Sequence, residues 1–524
     1  MFYEQKTEFG QKIDKKENPG FDCVIGNPPY GAPFDTHEKN FFNKKYGAAE
    51  YQLESFTLFI EQALSFLRQN GFHSYITPTT WLSMHYYENL RSFLINNNQL
   101  QQVIIFKEPV FEDATVETCI ELVKKSQPDK KSILMLGVVP DKPENLDVNW
   151  VELRHKKIQN FEGKRITEYL TPQLLDLFER IRKISLPLKD ISLMVVGCKP
   201  YQVGKGTPSQ NRAIVEDRLY DADFKKDNTY KQYIRGEDFY KYSLNLQEKR
   251  WISYGNWLAE PRPSAPFFVS KKIVIRQTAD TLIATIEDKQ FLNLNNVHNL
   301  VLKSENYSLE FILSILNSNL LSFIHRMIVP EFRRVFAEVK IVNLEKLPIP
   351  RISFTTPQKE RKEFFKEAVK LYKGSKFENI LKWAEYELAL KRNDSVHDFL
   401  AYLAEQMIEL NKAKNEEIKG FLRWLEREIG AEVDTLTNKT AIKEYHDKDF
   451  NSLLDVLKKN KNKLSINPSD RKTQELFEKH FRKSMSVLEP LKERIKATDS
   501  LIDQIVYKLY GLTDEEIELV EGKG

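Results

Sequence analysis

The residues best suited to chemistry are Asn27-Pro28-Pro29-Tyr30, which follow the apolar stretch Phe21-Asp22-Cys23-Val24-Ile25 through Gly26. A strand that runs into two prolines cannot continue, because each proline fixes φ and removes a backbone donor. The spacing therefore predicts a rigid elbow at the carboxyl end of a strand, where α/β folds place their sites. The elbow offers the Asn27 side-chain carbonyl and neighbouring backbone carbonyls as acceptors, with the Tyr30 ring beside them. Such a set can hold an exocyclic amine: the acceptors draw electron density toward its nitrogen while the ring stacks on the attached base. A proline-rich turn without chemistry is the alternative, although a strand followed by Gly-Asn-Pro-Pro-Tyr is the rarer combination.

A second set lies between Val195 and Asp280, where 15 Lys/Arg face 10 Asp/Glu. Lys199, Lys205, Arg235, Arg262, Lys271 and Arg276 are the candidate contacts to nucleic acid. They interleave with Tyr201, Tyr220, Phe224, Tyr230, Tyr240, Trp251 and Trp257, a pattern that suits phosphate contact and base stacking. Most such contacts go to phosphate rather than to base edges. A Tyr-rich β-domain with a solvated basic face has the same composition, so both readings stand.

Other constellations are weaker. Cys23, Cys119 and Cys198 are far apart with no Cys-x-x-Cys spacing, which argues against a disulfide framework or a zinc site. Glu338-Val339-Lys340 matches the last element of a nuclease metal site, but Asp129 and Asp141, the acids that follow prolines, are not at a workable distance. His397-Asp398 and His446-Asp447 are expected on solvated helix faces, and His73 and His85 as core or rim histidines.

The elements that must position these residues follow from periodicity. Residues 1–145 alternate strand and helix: Phe21–Ile25, His73–Ile76, Val103–Phe106 and Cys119–Val123 read as strands. Phe56, Phe59, Ile60, Ala63, Leu64 and Leu67 form an amphipathic helix closed by Arg68 and Gly71,. Residues 146–187 read as a linker, with a connector helix beginning at Thr171-Pro172 and burying Leu174, Leu175, Phe178, Ile181 and Ile184. Residues 188–350 are short strands with many turns. Residues 351–524 are helical and rich in Lys and Glu, with apolar stripes at Phe399–Leu410 and Phe421–Ile429, a last helix Leu501–Tyr510 ending at Gly511, and a Thr513–Glu516 capping box for one more turn,. They are more suited to support or a partner surface than to chemistry. The 524 residues are 29% charged and 41% hydrophobic with a net charge of +4, an ordinary globular composition for two to four domains of roughly 100–200 residues. With no apolar run near the roughly 18 residues of a membrane span and no secretory start, the expectation is a cytoplasmic chain without a membrane.

Gly26-Asn27-Pro28-Pro29-Tyr30 is similar to the Asn-Pro-Pro-Tyr motif of amino-methylating DNA methyltransferases, most of them adenine-N6 enzymes. Further matches follow in order. Tyr51–Leu67 resembles the helix after the catalytic loop, Gly71–Pro78 the next strand, and Val110–Val116 the segment whose phenylalanine stacks on a flipped adenine. Val196–Tyr201, Gly204-Lys205-Gly206, Arg235–Asp238, Lys271–Thr278 and Ile315–Ser318, up to Pro350, resemble a TaqI-like target-recognition domain. Ile502–Leu512 looks like the helical end of fused type II (type IIG) restriction–modification proteins. The implied fold is α/β, the C-terminal part of a Rossmann-like methyltransferase sheet, followed by an α+β recognition domain and a helical C-terminal region. The implied activity is methyl transfer from S-adenosylmethionine to an adenine flipped out of double-stranded DNA. Asn27 and the Pro28 carbonyl would hold the amine, and Tyr30 and Phe111 would sandwich the base; proximity and orientation would supply most of the acceleration.

One departure matters. The family's cofactor loop, Phe-x-Gly-x-Gly, precedes the catalytic motif, yet only 26 residues precede Asn27. Gly204-Lys205-Gly206 is the one Gly-x-Gly before the terminal Gly522-Lys523-Gly524, and Thr207-Pro208 follows it rather than a helix. The cofactor site is therefore expected to be incomplete, and three origins stay open: a split subunit whose missing half a separate polypeptide supplies, a truncated gene product, or a decayed pseudogene product. A DNA-binding specificity module without catalysis of its own is the rival expectation.

Overall fold

A computed structural model describes residues 19–48, 53–111, 116–140, 148–245, 250–262, 271–303, 305–329 and 338–522. The chain divides into two compact units, Met1–Lys183 and Ile184–Gly524.

In the first unit, strands β1 (Phe21–Gly26), β2 (Leu67–Pro78), β3 (Gln99–Phe106), β4 (Thr118–Lys124), β5 (Ile133–Val139) and β6 (Asn149–Arg154) form one mixed sheet in the order β1-β2-β4-β3-β5-β6. β1 runs parallel to β2, with Gly26 opposite Tyr75. β4 lies antiparallel to both of its neighbours, with Glu121 opposite Tyr75 and Val103. Helices α1 (Thr36–Lys45) and α2 (Ser55–Phe66) occupy the β1–β2 connection. α1 begins with a complete Asp35/Glu38 capping box,.

Three expectations change here. α2 is not closed by Arg68 and Gly71: it ends at Phe66, and Leu67 already pairs with Phe21. Gly71 lies inside β2, where a Cβ would come within 2.9 Å of the Phe21 carbonyl, so glycine permits the close approach of β1 at a register shift. Residues 146–187 are not a free linker, because β6 pairs antiparallel with β5 and helix α3 (Pro172–Ile184) starts within the first unit. The α3 cap is as expected, Thr171 Oγ1 accepting from the Leu174 amide at 3.1 Å. Ile184, however, is 41% exposed, and Leu177 takes its place on the buried face.

The second unit opens with β7 (Ser185–Pro187) and β8 (Ser192–Val196). Next come β9 (Asp221–Ala222), β10 (Tyr230–Ile234), the hairpin β11 (Phe239–Tyr240) and β12 (Ser243–Leu244), and β13 (Trp251–Ser253). β14 (Lys272–Arg276), β15 (Ala284–Glu287), β16 (Leu292–Asn293), β17 (Val297–Leu302) and β18 (Pro348–Pro350) complete the strands. They form sheets β15-β14-β17-β8 and β16-β10-β13-β9, and β18 closes onto β7. Lys272 and Glu287 pair at 2.6 Å in the first of these sheets, both fully buried.

Helices α4 (Leu309–Asn317) and α5 (Asn319–Ile328) are largely buried. Beyond them the chain is helical, as expected. The two apolar stripes expected at Phe399–Leu410 and Phe421–Ile429 belong to one 37-residue helix, α6 (Asn393–Ile429). It packs on α7 (Arg471–Tyr510), a 40-residue helix stopped by Gly511 at φ 66°,. Helix α8 (Asp514–Glu521) carries the expected Thr513/Glu516 capping box. Among the described residues no single helix is long and apolar enough to cross a membrane.

Asp503 on α7 caps α5, accepting from the Asn319 amide at 2.8 Å and from Asn319 Nδ2 at 2.7 Å. Burial nevertheless pushes its carboxyl up to about 7, with Asp499 and Glu521 adding to the shift. A carboxyl whose pKa rises on folding stabilises most when protonated, and that contribution is lost as pH climbs from about 4 through about 7. Urea unfolding is expected to show the second unit less stable at pH 8 than at pH 5 by up to a few kcal/mol. Asp503→Asn should flatten that dependence.

Candidate active site and nucleic-acid interface

β1 stops at Gly26, and the residues after it are tied at two points. The Ser55 hydroxyl, in the first turn of α2, donates to the Pro29 carbonyl at 2.6 Å. The Tyr30 hydroxyl donates to the Ile76 carbonyl of β2 at 2.8 Å. Gly31 then takes φ 65°, which turns the chain away,. Pro28 is buried and Tyr30 half-buried, whereas Asn27 and Pro29 are exposed. No described residue hydrogen-bonds the Asn27 side chain. Its carboxamide therefore stands uncommitted at the carboxyl end of β1, beside a ring that cannot swing.

Tyr30 meets Phe56 edge-on with centroids 6.4 Å apart. Burial pushes its hydroxyl up to about 12, reinforced by Cys119 and Glu121, so it remains a neutral donor. Phe111 is half-buried in a bend after β3, and no ring contact joins it to Tyr30 among the described residues. Residues 112–115 of the expected stacking segment lie outside the described residues. Sequence reasoning missed Glu121, which is fully buried under this loop and whose carboxyl is raised above its ordinary value, burial being the main cause. The available signal was a carboxylate at the centre of the apolar run Cys119-Ile120-Glu121-Leu122-Val123.

The six basic candidates separate into groups. Lys199 pairs backbone to backbone with Glu260, and Arg262 forms an ion pair with the Glu260 carboxylate. Lys199 Nζ donates to Gln202 Oε1 at 2.7 Å. Gln210 knots the loop that carries Lys205: its side chain binds the Gln202 amide and the Pro200 and Trp257 carbonyls. Lys199, Lys205 and Arg262 thus belong to one loop cluster. Arg235 and Arg276 form a second group flanking Gly236. Arg235 donates to the Tyr233 hydroxyl at 3.2 Å and pairs with Glu237 at 3.4 Å. Arg276 donates to the Phe239 carbonyl and lies over the Tyr240 ring, 5.2 Å from its centroid. Lys271 pairs with Glu310 of α4, apart from both groups. Of the six, Lys205 alone is exposed with no side-chain partner among the described residues.

Much of the aromatic interleaving is structural. Tyr233 is in a buried cluster with Cys198 and Ile252, against which Tyr220 and Trp257 pack. Tyr201 stacks on Tyr220 at 5.6 Å. Among the described aromatic residues of this stretch, Phe224 and Tyr240 are the exposed rings, at 65% and 61%.

Gly204 and Gly206 have φ 80° and 86°, and a Cβ on Gly206 would fall 2.4 Å from the Trp257 carbonyl. This loop is packed against its own unit and does not open a helix, so its backbone amides do not form the anion cradle a nucleotide-like cofactor needs. The described residues do not fit S-adenosylmethionine at this Gly-x-Gly.

The two histidine–aspartate pairs differ in burial, and Asp447 is exposed as expected. His397, expected on a solvated face, is buried against Phe311 at 4.4 Å, and Asp398 bonds both His397 Nδ1 (2.9 Å) and Arg361 (2.8 Å). The correction follows from α4 packing on α6. His446 is partly covered, 3.1 Å from Asp447, which Lys492 also holds. Glu338 accepts from Gln277 Nε2 at 2.7 Å. No described group of three His, Cys, Asp or Glu is arranged to hold a metal.

Residues 2–111 match the Eco57I restriction-modification methylase family, residues 231–349 the TaqI-like C-terminal specificity domain, and residues 393–506 a domain of unknown function. One polypeptide thus carries a segment similar to a restriction-modification methylase and a segment similar to a TaqI-like specificity domain, the combination of type II restriction enzyme and methyltransferase relatives. Among particular relatives, a putative type II restriction enzyme and methyltransferase of Methanocaldococcus jannaschii is 25% identical over 61% of this chain and 26% of its own. The type II restriction enzyme and methyltransferase RM.Eco57I of Escherichia coli is 32% identical over 22% of this chain and 12% of its own. The chain therefore spans about a quarter or less of these relatives. A solved type IIL restriction-modification enzyme, MmeI in complex with DNA, overlaps 88% of this chain and 57% of its own at 10% identity and TM-score 0.40.

Tyr30→Phe keeps the ring and removes the donor to the Ile76 carbonyl. Urea unfolding should report a loss of about 1 kcal/mol from the first unit. An unchanged midpoint would mean the bond does not hold the loop.

Proposed function

We propose that this chain is the catalytic-loop and target-recognition part of a site-specific DNA methyltransferase of a restriction–modification or related defence system, acting on adenine N6. The observation that carries the reading is the uncommitted Asn27 carboxamide on an elbow tied by Ser55 and Ile76, inside a segment that matches a methylase family. In this reading Asn27 and the Pro28 carbonyl accept hydrogen bonds from the amine of a flipped adenine and aim its lone pair. Pro29 keeps the loop rigid. Tyr30 stacks on one face of the base, and Phe111 closes on the other. S-adenosylmethionine supplies the methyl group. Lys199, Lys205 and Arg262 contact duplex DNA from their loop cluster, and Arg235, Lys271 and Arg276 contact it from outside that cluster.

The cofactor half is supplied from outside the described residues. Supporting this, β1 is an edge strand among the described residues, yet it reads as an interior strand: Phe21 is 50% and Ile25 80% exposed. Strands of parallel α/β sheets are ordinarily covered on both faces. The second reading, a specificity module without catalysis of its own, draws on the same edge and on the packed Gly204–Gly206 loop.

Asn27→Ala is expected to abolish methylation by the reconstituted enzyme while leaving duplex binding within about twofold. Full activity in that variant would end the assignment. Labelled S-adenosylmethionine should not bind the lone chain, with or without duplex DNA; saturable binding would place a complete cofactor site here. Replacing Lys199, Lys205 and Arg262 together with Ala should weaken binding across all sequences. The salt slope should fall by up to about 0.9 for each phosphate that is no longer neutralised. An unaltered slope would remove this cluster from the interface.

A further inference from the structure

Beneath the elbow, the centre of the first sheet holds a carboxyl and an imidazole where aliphatic side chains would pack at lower cost. Glu121 on β4 and His73 on β2 are both 0% exposed, with Glu121 Oε1 and His73 Nε2 3.5 Å apart. Neither ring nitrogen nor Oε1 has a hydrogen-bond partner among the described residues. Replacing such a buried pair by well-packed apolar residues is often neutral or stabilising. Under-satisfied buried polar groups of this kind call for an account other than stability.

We propose that His73 and Glu121 are positioning residues that set the height and tilt of the Gly26–Tyr30 elbow; the inference rests on reading that elbow as the amine-holding loop. Their contacts reach the elbow by two routes. On one side, the His73 ring packs edge-on against Tyr75 at 4.2 Å. The Tyr75 ring in turn lies against Gly26, where a Cβ would come within 3.3 Å of it. Tyr75 therefore determines how closely the end of β1 settles on β2, one residue before Asn27.

On the other side, Glu121 Oε2 accepts from the Thr77 hydroxyl at 3.0 Å, and Thr77 Oγ1 accepts from Trp81 Nε1 at 3.1 Å. Thr77 and Tyr75 flank Ile76, whose carbonyl holds the Tyr30 hydroxyl. One buried carboxyl thus organises both residues next to the anchor of Tyr30. Apolar residues at 73 and 121 would keep the sheet but release Tyr75 and Thr77 from these fixed rotamers.

The test is hydrogen exchange on the full chain, without cofactor or DNA, comparing wild type with His73→Phe/Glu121→Leu and with Glu121→Gln, which keeps an acceptor for Thr77. The double variant is expected to unfold at the wild-type temperature or above. Its peptides covering residues 24–34 should exchange about fivefold faster or more, while those of β3 and β5 stay unchanged. Glu121→Gln should give an intermediate rate. In enzyme reconstituted with a cofactor-bearing partner, the double variant should lower kcat about tenfold with KM for DNA unchanged. Wild-type exchange at 24–34 would overturn the proposal, and so would faster exchange across the whole sheet with a lowered midpoint. Because exchange is read without methylation, full activity of Asn27→Ala would sink the functional reading and leave this result to stand or fall separately.

Discussion

The parallel pairing of β1 with β2 is the interaction on which the candidate site depends. Gly26 opposite Tyr75 fixes where β1 ends, and the two prolines that follow prevent the ladder from going further. The chain must leave the sheet there, and Ser55 and Ile76 supply the bonds that decide how it leaves. Asn27 is exposed because the residue before it is held by backbone pairing and the residue after it is buried. A side chain so placed has few ways to move, which is the property wanted of a group that must hold a reactant in one orientation.

The same sheet shows how a polar layer can be built into an α/β core. β2 presents His73, Tyr75 and Thr77 on one face and β4 presents Cys119 and Glu121 opposite them. A wholly aliphatic face would have been simpler to satisfy. The polar face instead carries a chain of contacts from Trp81 through Thr77, Glu121, His73 and Tyr75 to the end of β1.

In the second unit the basic residues are mostly committed. Arg235, Arg262, Lys271 and Arg276 each have an acidic, carbonyl or aromatic partner, which limits how far the side chains can reach and fixes their directions. Lys205 differs because the loop around Gln210 is secured through backbone and glutamine bonds. The loop's rigidity therefore places no demand on the lysine itself.

Features set by neighbours in sequence were legible without the structure. The elbow after Phe21–Ile25, the Thr171 cap, the Gly511 stop and the Thr513/Glu516 capping box each depend on residues within one turn or one strand end. There the energetics are local: a fixed φ, a missing donor, a side chain reaching a free amide. Other features were settled by contacts far apart in the chain. β6 joins the sheet because β5 needs a partner, Leu67 becomes strand rather than helix because Phe21 pairs with it, and His397 is buried because α4 packs on α6. Which cations are committed to partners, and that Glu121 lies beneath Tyr30, likewise depend on non-local pairing. Composition and periodicity record which residues favour burial; only the folded chain decides which of them meet.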